Sequence, residues 1–240
     1  FRWVQKNIKY IAIEDGDNGF IPREAALVFQ RRYGDCKDKS SLLKAMFLAA
    51  GLEANLAWIG TRDLPYLYSV FPSMANDDHM ICVWWNEQGE PVFLDGTTRN
   101  HSLGYPPAFI QGKECMVEKG PGNFKLVNVP VIGSGLNTIT DTVRIKQDAG
   151  KLTGHSVSRI NGELKAMYIS RFESTDSEKY KDLIPGLYEF ASNKFQASDV
   201  QVSDLNLVDQ PLNINFDFEL PDYATSYNGA VYINMNVERL

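Results

Sequence analysis

The apolar positions of this chain recur first at helical spacing and then by alternation, and the change of period predicts both its elements and its division into halves. Phe1, Val4 and Ile8 open on a helical pattern. Pro22-Arg23-Glu24 starts a second helix, because a proline in the first turn gives up no hydrogen bond; Ala26, Val28 and Phe29 supply its apolar positions. A third helix is predicted from about Cys36 to Ala50. Leu42, Leu43, Met46, Phe47 and Ala50 form its buried stripe, and Gly51 stops it. Strands follow over Ala54–Ile59, His79–Trp85 and Pro91–Asp95, with a long loop, Thr61–Asp78, between the first two.

Val131-Ile132-Gly133-Ser134-Gly135 reads as a linker. Beyond it, Thr138–Gln147 and Lys151–Asn161 form a hairpin around Asp148-Ala149-Gly150, and a helical stretch runs over about Ser177–Phe195. Val200–Val208, Leu212–Glu219 and Ala230–Val237 are predicted strands. Asn213-Ile214-Asn215-Phe216-Asp217-Phe218 alternates as a half-buried strand does. The expected organisation is α+β: a core over 1–130, then a mainly β accessory domain over 131–240 with one or two helices.

Composition adds exclusions. A chain of 240 residues has room for one large domain or two ordinary ones. A formal charge of −6 and the lack of any Lys/Arg block argue against a nucleic-acid partner. No apolar run approaches the roughly 18 residues of a membrane span. The chain opens without methionine inside a helical pattern and stops directly after a strand pattern. It therefore reads as a segment of a longer polypeptide, with further domains of the same chain as partners.

Three cysteines at wide spacing make neither a disulfide framework nor a metal knuckle. Cys36 is the one with a telling context, Tyr33-Gly34-Asp35-Cys36-Lys37-Asp38-Lys39-Ser40. Asp35 is placed to cap the helix and Gly34 to allow a sharp approach. A helix N-terminus favours thiolate over thiol, Lys37 and Lys39 add positive charge, and the same amides are positioned to receive an oxyanion. Beside this stands a buried structural cysteine, the commonest fate of an unpaired Cys.

The next hairpin bears on that choice. A three-residue loop Glu87-Gln88-Gly89 sets Asn86 opposite Glu90 and Ile81 opposite Asp95. His79 is then the diagonal neighbour of Asp95 on one sheet face, about 7–8 Å away at the backbone. The carboxylate can hold one ring nitrogen while the other points outward, the arrangement that orients a general base. A two-residue loop would put the pair on opposite faces, and a turn aspartate in Asp95-Gly96 is the plain alternative.

Gly34-Asp35-Cys36-Lys37-Asp38-Lys39, Leu42-Leu43-Lys44-Ala45-Met46 and Ala50-Gly51-Leu52-Glu53-Ala54 together resemble the nucleophile helix of bacterial transglutaminase-like core domains. Asp78-His79 and Val92-Phe93-Leu94-Asp95-Gly96-Thr97 are similar to that family's histidine and aspartate strands. The resemblance covers roughly 1–98. It implies a papain-like core, with the nucleophile helix packed on an antiparallel sheet. By the same resemblance Cys36 is nucleophile, His79 base and Asp95 its orienter. It further implies peptide or protein amides as substrates, no cofactor, and a bacterial periplasmic or surface location. An idle binding or scaffold module of an exported protein is the alternative, since fold does not guarantee activity.

The remaining candidates read as structural. His101 and His155 are taken as solvated loop or strand residues, and Cys82 and Cys115 as core thiols. A zinc site from the cysteines lacks a close ligand pair, and no acidic, glycine-centred calcium loop is present. Trp84 and Trp85 are assigned to core packing, with a substrate tunnel as the other possibility. Leu64, Tyr66, Tyr68 and Phe71 are placed to wall an acyl-donor groove or simply to pack a long loop.

Overall fold

The computed structural model describes residues 1–12, 16–148, 150–188 and 194–233. The chain divides into two compact units, Phe1–Gly133 and Ser134–Leu240, beside the boundary after Pro130 that the linker suggested. Both helices and sheets are present, and the architecture is α+β. Among the described residues no helix is long and apolar enough to cross a membrane.

In the first unit, helices α1 (Arg2–Asn7), α2 (Ala25–Arg31) and α3 (Cys36–Ala49) precede most of the sheet. Two short strands, β1 (Lys9–Tyr10) and β2 (Tyr33–Gly34), pair in parallel and lead the chain into α3. Then come β3 (Ala54–Ile59), β4 (His79–Trp85), β5 (Pro91–Leu94), β6 (Glu114–Glu118) and β7 (Phe124–Asn128). They form one antiparallel sheet in the order β5-β4-β3-β6-β7. Strand alternation gives the sheet two apolar faces. One packs Ala54, Cys82 and Leu94 with Leu42 and Leu43 of α3, closed by Val4, Ile8 and Val28. The other packs Ala57, Ile59, Ile81, Val83 and Phe93 with Ile110 and Val129.

Helix α2 departs from expectation at its start. It begins at Ala25, not at Pro22, with Glu24 as N-cap. The cause is tertiary: the Asp38 carboxylate accepts from Arg23 N (2.9 Å) and from its guanidinium (2.6 Å), fixing the approach segment.

The second unit holds β8 (Ile139–Asp148), β9 (Lys151–Ile160), α4 (Gly162–Glu173), α5 (Tyr180–Tyr188), β10 (Gln196–Val202), β11 (Leu212–Leu220), β12 (Thr225–Tyr227) and β13 (Ala230–Tyr232). Four strands make an antiparallel sheet in the order β10-β11-β9-β8. Leu212, Ile214, Phe216, Phe218 and Leu220 point inward from β11 and meet Tyr168, Ile169, Phe172, Ile184 and Tyr188 of the helices. The predicted Val200–Val208 strand lies earlier, over β10. The helical stretch expected to Phe195 is described only to Tyr188. The last residues of the predicted Ala230–Val237 strand and the hairpin-turn Ala149 fall outside the described residues.

Helix α4 was not anticipated. Its N-cap Asn161 makes no side-chain cap bond. Instead the Asn137 side-chain oxygen accepts from Glu163 N at 2.9 Å, so the start signal lies a whole hairpin away. Gly162 is needed there, since it has φ +72° and a Cβ would fall 2.0 Å from that same oxygen.

Candidate active site

The residues before α3 have specific work in placing Cys36. Asp35 caps the helix, accepting from Lys37 N (2.9 Å) and Asp38 N (3.2 Å). Asp38 reaches back to Asp35 N (3.3 Å), closing a capping box. Its carboxylate also holds Arg23, so a buried charge is neutralised where the chain enters. Gly34 is required by contact: a Cβ would sit 2.5 Å from Asp38 Cβ and 2.7 Å from Asp38 Oδ2. Gly34→Ala should therefore destabilise the protein by about 1–3 kcal/mol. Gly133→Ala, where nothing lies within 4 Å, should leave the melting curve unchanged. Equal melting temperatures for the two variants would contradict this account.

This geometry corrects two expectations. Lys37 and Lys39 do not simply bathe Cys36 in positive charge. The Lys37 ammonium is paired with Asp35 at 2.8 Å, and Lys39 Nζ donates to the Gly96 carbonyl at 2.9 Å. The Lys37 and Asp38 amides are taken up by the Asp35 carboxylate, so they do not await an oxyanion. The amide of this turn that Asp35 leaves unoccupied is that of Cys36.

The hairpin has the register that a Glu87-Gln88-Gly89 loop dictates. Trp85 pairs with Pro91 and Cys82 with Leu94, Asn86 N donates to Glu90 O at 3.0 Å, and Gly89 takes φ +74°. His79 begins β4, and Asp95 follows the last residue of β5. Their side chains meet, His79 Nε2 lying 2.9 Å from Asp95 Oδ2. The other Asp95 oxygen accepts from Thr97 N (2.8 Å) and Thr97 Oγ1 (2.6 Å), which fixes the carboxylate in its turn. Cys36 lines the same cavity as this imidazole and acts on it, raising its pKa. With Nε2 engaged by Asp95, the ring atom left for the sulfur is Nδ1. The edge of Phe109 contacts the ring, with centroids 5.5 Å apart.

Cys36, His79 and Asp95 are thus brought together from three elements, each anchored. Ser40 Oγ donates to Met80 O (2.9 Å), tying α3 to β4. Gln5 donates to the carbonyls of Thr98 (2.8 Å) and His101 (3.2 Å), fixing the chain just after the Asp95 turn.

Burial opposes protonation of His79, but the Asp95 charge and hydrogen bond, with Cys36 adding, raise its pKa to about 10. Burial likewise opposes ionisation of Asp95. The His79 charge and the donors on His79 and Thr97 outweigh it and lower the Asp95 pKa. The two partners agree: the pair is held as imidazolium and carboxylate through neutral pH.

Cys36 and His79 open onto a cavity of about 540 Å³. Trp58, Met80 and Met116 line it, with Phe20, Met74 and Phe124, all exposed, around it; Asp77, Asp78 and Lys37 are its charged residues. Burial raises the Asp77 carboxyl, the neighbouring Asp78 adding to this against a hydrogen bond from Tyr68. Asp78 accepts from Thr61 N (2.7 Å) and Thr61 Oγ1 (2.8 Å), which holds the end of the long loop beside His79.

Several side chains fall elsewhere than the tunnel and groove readings put them. Trp84 packs on Phe47 at 5.7 Å, and Trp85 Nε1 donates to Asn55 Oδ1 at 2.7 Å; neither lines the cavity. The lining indole is Trp58, opposite Met80 in the β3–β4 ladder. Of the loop, Met74, Asp77 and Asp78 form the wall, whereas Leu64, Tyr66, Tyr68 and Phe71 do not. His101 is buried against Tyr105, not solvated as expected; its ring packs at 5.6 Å in the segment that Gln5 ties down. His155 is exposed on β9, 2.6 Å from Asp217.

Cys82 and Cys115 lie on opposite faces of the sheet and away from Cys36, so the three thiols do not converge. Burial pushes the Cys82 and Cys115 thiols up to about 12. No family model, curated protein or solved structure matches this chain.

Proposed function

We propose that the first unit is a papain-like, transglutaminase-like core that acts as a cysteine-nucleophile acyl transferase or amide hydrolase on peptide or protein amides. The observation that carries this reading is the side-chain relay Cys36–His79–Asp95 at the wall of a cavity. A buried structural cysteine has no need of a histidine whose far nitrogen is bound by a buried carboxylate. In the reading, the Cys36 sulfur attacks the amide carbon as a thiolate, with His79 holding the proton. The Cys36 amide, which Asp35 does not take up, serves as donor to the oxyanion in this reading. His79 then protonates the departing amine, leaving a thioester on Cys36. Water or a second amine takes the acyl group, with His79 receiving its proton.

The test is site-resolved alkylation beside an amide-release assay. Iodoacetamide at neutral pH should label Cys36 and leave Cys82 and Cys115 unmodified, since their buried thiols are pushed up to about 12. His79→Ala should slow labelling of Cys36 strongly. Sluggish labelling that is indifferent to His79, with no amine released from a panel of glutamine and peptide amides, would favour the idle scaffold module.

A further inference from the structure

Lys39 is a lysine where hydrophobic packing would be expected. The residue is 1 % exposed, within the first unit. Burying an ammonium is costly, and such a group ordinarily pairs with a carboxylate. Lys39 Nζ instead donates to a backbone carbonyl, that of Gly96, at 2.9 Å. Gly96 directly follows Asp95. The turn lies flat on the helix: a Cβ on Gly96 would be 3.1 Å from Leu43 Cδ1 and 3.3 Å from Lys39 Cβ. Cys36 and Lys39 stand three residues apart on α3 and so share a helix face. One face thus presents the sulfur and, a turn later, the ammonium that grips the Asp95 loop.

We infer that Lys39 is a positioning residue: its ammonium, bound to the Gly96 carbonyl, docks the Asp95 turn on the nucleophile helix and holds the Asp95 carboxylate against the His79 ring. Thr97 fixes the carboxylate within its own turn, and the polar tie from that turn to α3 is the Lys39 ammonium. The charged groups around its ammonium are Asp95, which attracts it, and Arg99, which repels it. Burial, the largest influence, brings the Lys39 pKa down to about 8. The lysine therefore stays mainly cationic at neutral pH, and its attraction to Asp95 adds to the hydrogen bond. The catalytic meaning of this tie rests on the acyl-transfer reading; the tie itself does not.

Positioning and bare charge have different consequences for His79. If Lys39 acted only as a nearby positive charge, removing it would leave the imidazole pKa unchanged or raise it, because Lys39, at about 8, has largely lost its charge where His79 titrates. If Lys39 holds Asp95 in place, removing it loosens the carboxylate and the imidazole pKa falls. The experiment is an NMR titration of the His79 ring in the whole chain, parent against Lys39→Met, with His79→Gln to assign the signal. Lys39→Met should lower the His79 pKa from near 10 by at least about one unit. Lys39→Arg, which keeps a donor and the charge, should recover part of the shift.

An unchanged or raised His79 pKa in folded Lys39→Met would overturn the inference. Should Lys39→Met not fold, Lys39→Gln carries the same titration, and failure of both to fold would assign Lys39 to packing alone. A parent whose Cys36 resists alkylation would sink the acyl-transfer reading. A lowered His79 pKa in the variant would still establish the tie.

Discussion

Cys36→Ala is expected to keep its fold and lose acyl transfer altogether. The start of α3 is held by Asp35, Asp38 and Arg23, none of which uses the sulfur. The cysteine belongs to a small cluster with Leu56 and Met80, so its truncation should cost only about 1 kcal/mol. No other thiol can stand in, because Cys82 and Cys115 are fully buried in the two sheet cores. His79→Ala should be as inert, since the relay loses its proton carrier. Melting curves beside the amide-release assay decide the matter. A Cys36→Ala protein that unfolds, next to a parent without turnover on any amide, would return Cys36 to the role of a core cysteine.

What the sequence made legible was local chemistry. Asp35 followed by Cys36 declares a capped helix start, and the spacing Asn86 to Glu90 with Gly89 between fixes one hairpin register. From that register alone His79 and Asp95 fall on the same face, as their 2.9 Å contact requires. The misses share the opposite property. Arg23 is drawn out of a helical start by Asp38, fifteen positions on. Helix α4 is capped by Asn137 from across a hairpin, and Lys39 is buried by a turn 57 residues later. Trp84 and Trp85 pack on the cores as assigned, whereas Trp58, which lines the cavity, carries no local signal, because the cavity face of β3 depends on which strands flank it. His101 looked solvated because Asn-His-Ser is polar, yet Gln5 binds its carbonyl from the far end of the unit. Long-range partners leave no mark in the local pattern.

Asp95→Ala should damage stability as well as activity, with a pH dependence that identifies the cause. The substitution leaves His79 without its carboxylate, Thr97 N without its acceptor and the buried Lys39 cation without the negative charge of Asp95 that favours it. Removing one partner of a buried pair costs about 3–5 kcal/mol.

In the parent, His79 is raised from 6.5 to about 10, so its contribution is complete below about pH 6.5 and is lost as pH climbs towards 10. Asp95 is lowered from 3.8, so its contribution is present above that value and disappears as pH falls through the folded-state value. Lys39, lowered to about 8, works the other way: the parent regains stability between about 8 and 10.5, partly cancelling the His79 loss. Parent stability should therefore decline between about pH 6.5 and 8 and then level off. The gap between parent and Asp95→Ala should be widest from about pH 4 to 6.5 and narrow on both sides.

Asp95→Asn separates the two duties of the residue, because its amide oxygen can still accept from Thr97 while its charge is gone. It should recover the part of the stability that belongs to the turn and none of the activity. The measurement is denaturant unfolding of all three proteins from pH 3 to 10. A gap that stays constant across that range would mean that Asp95 serves the turn alone, and that His79 does not depend on it.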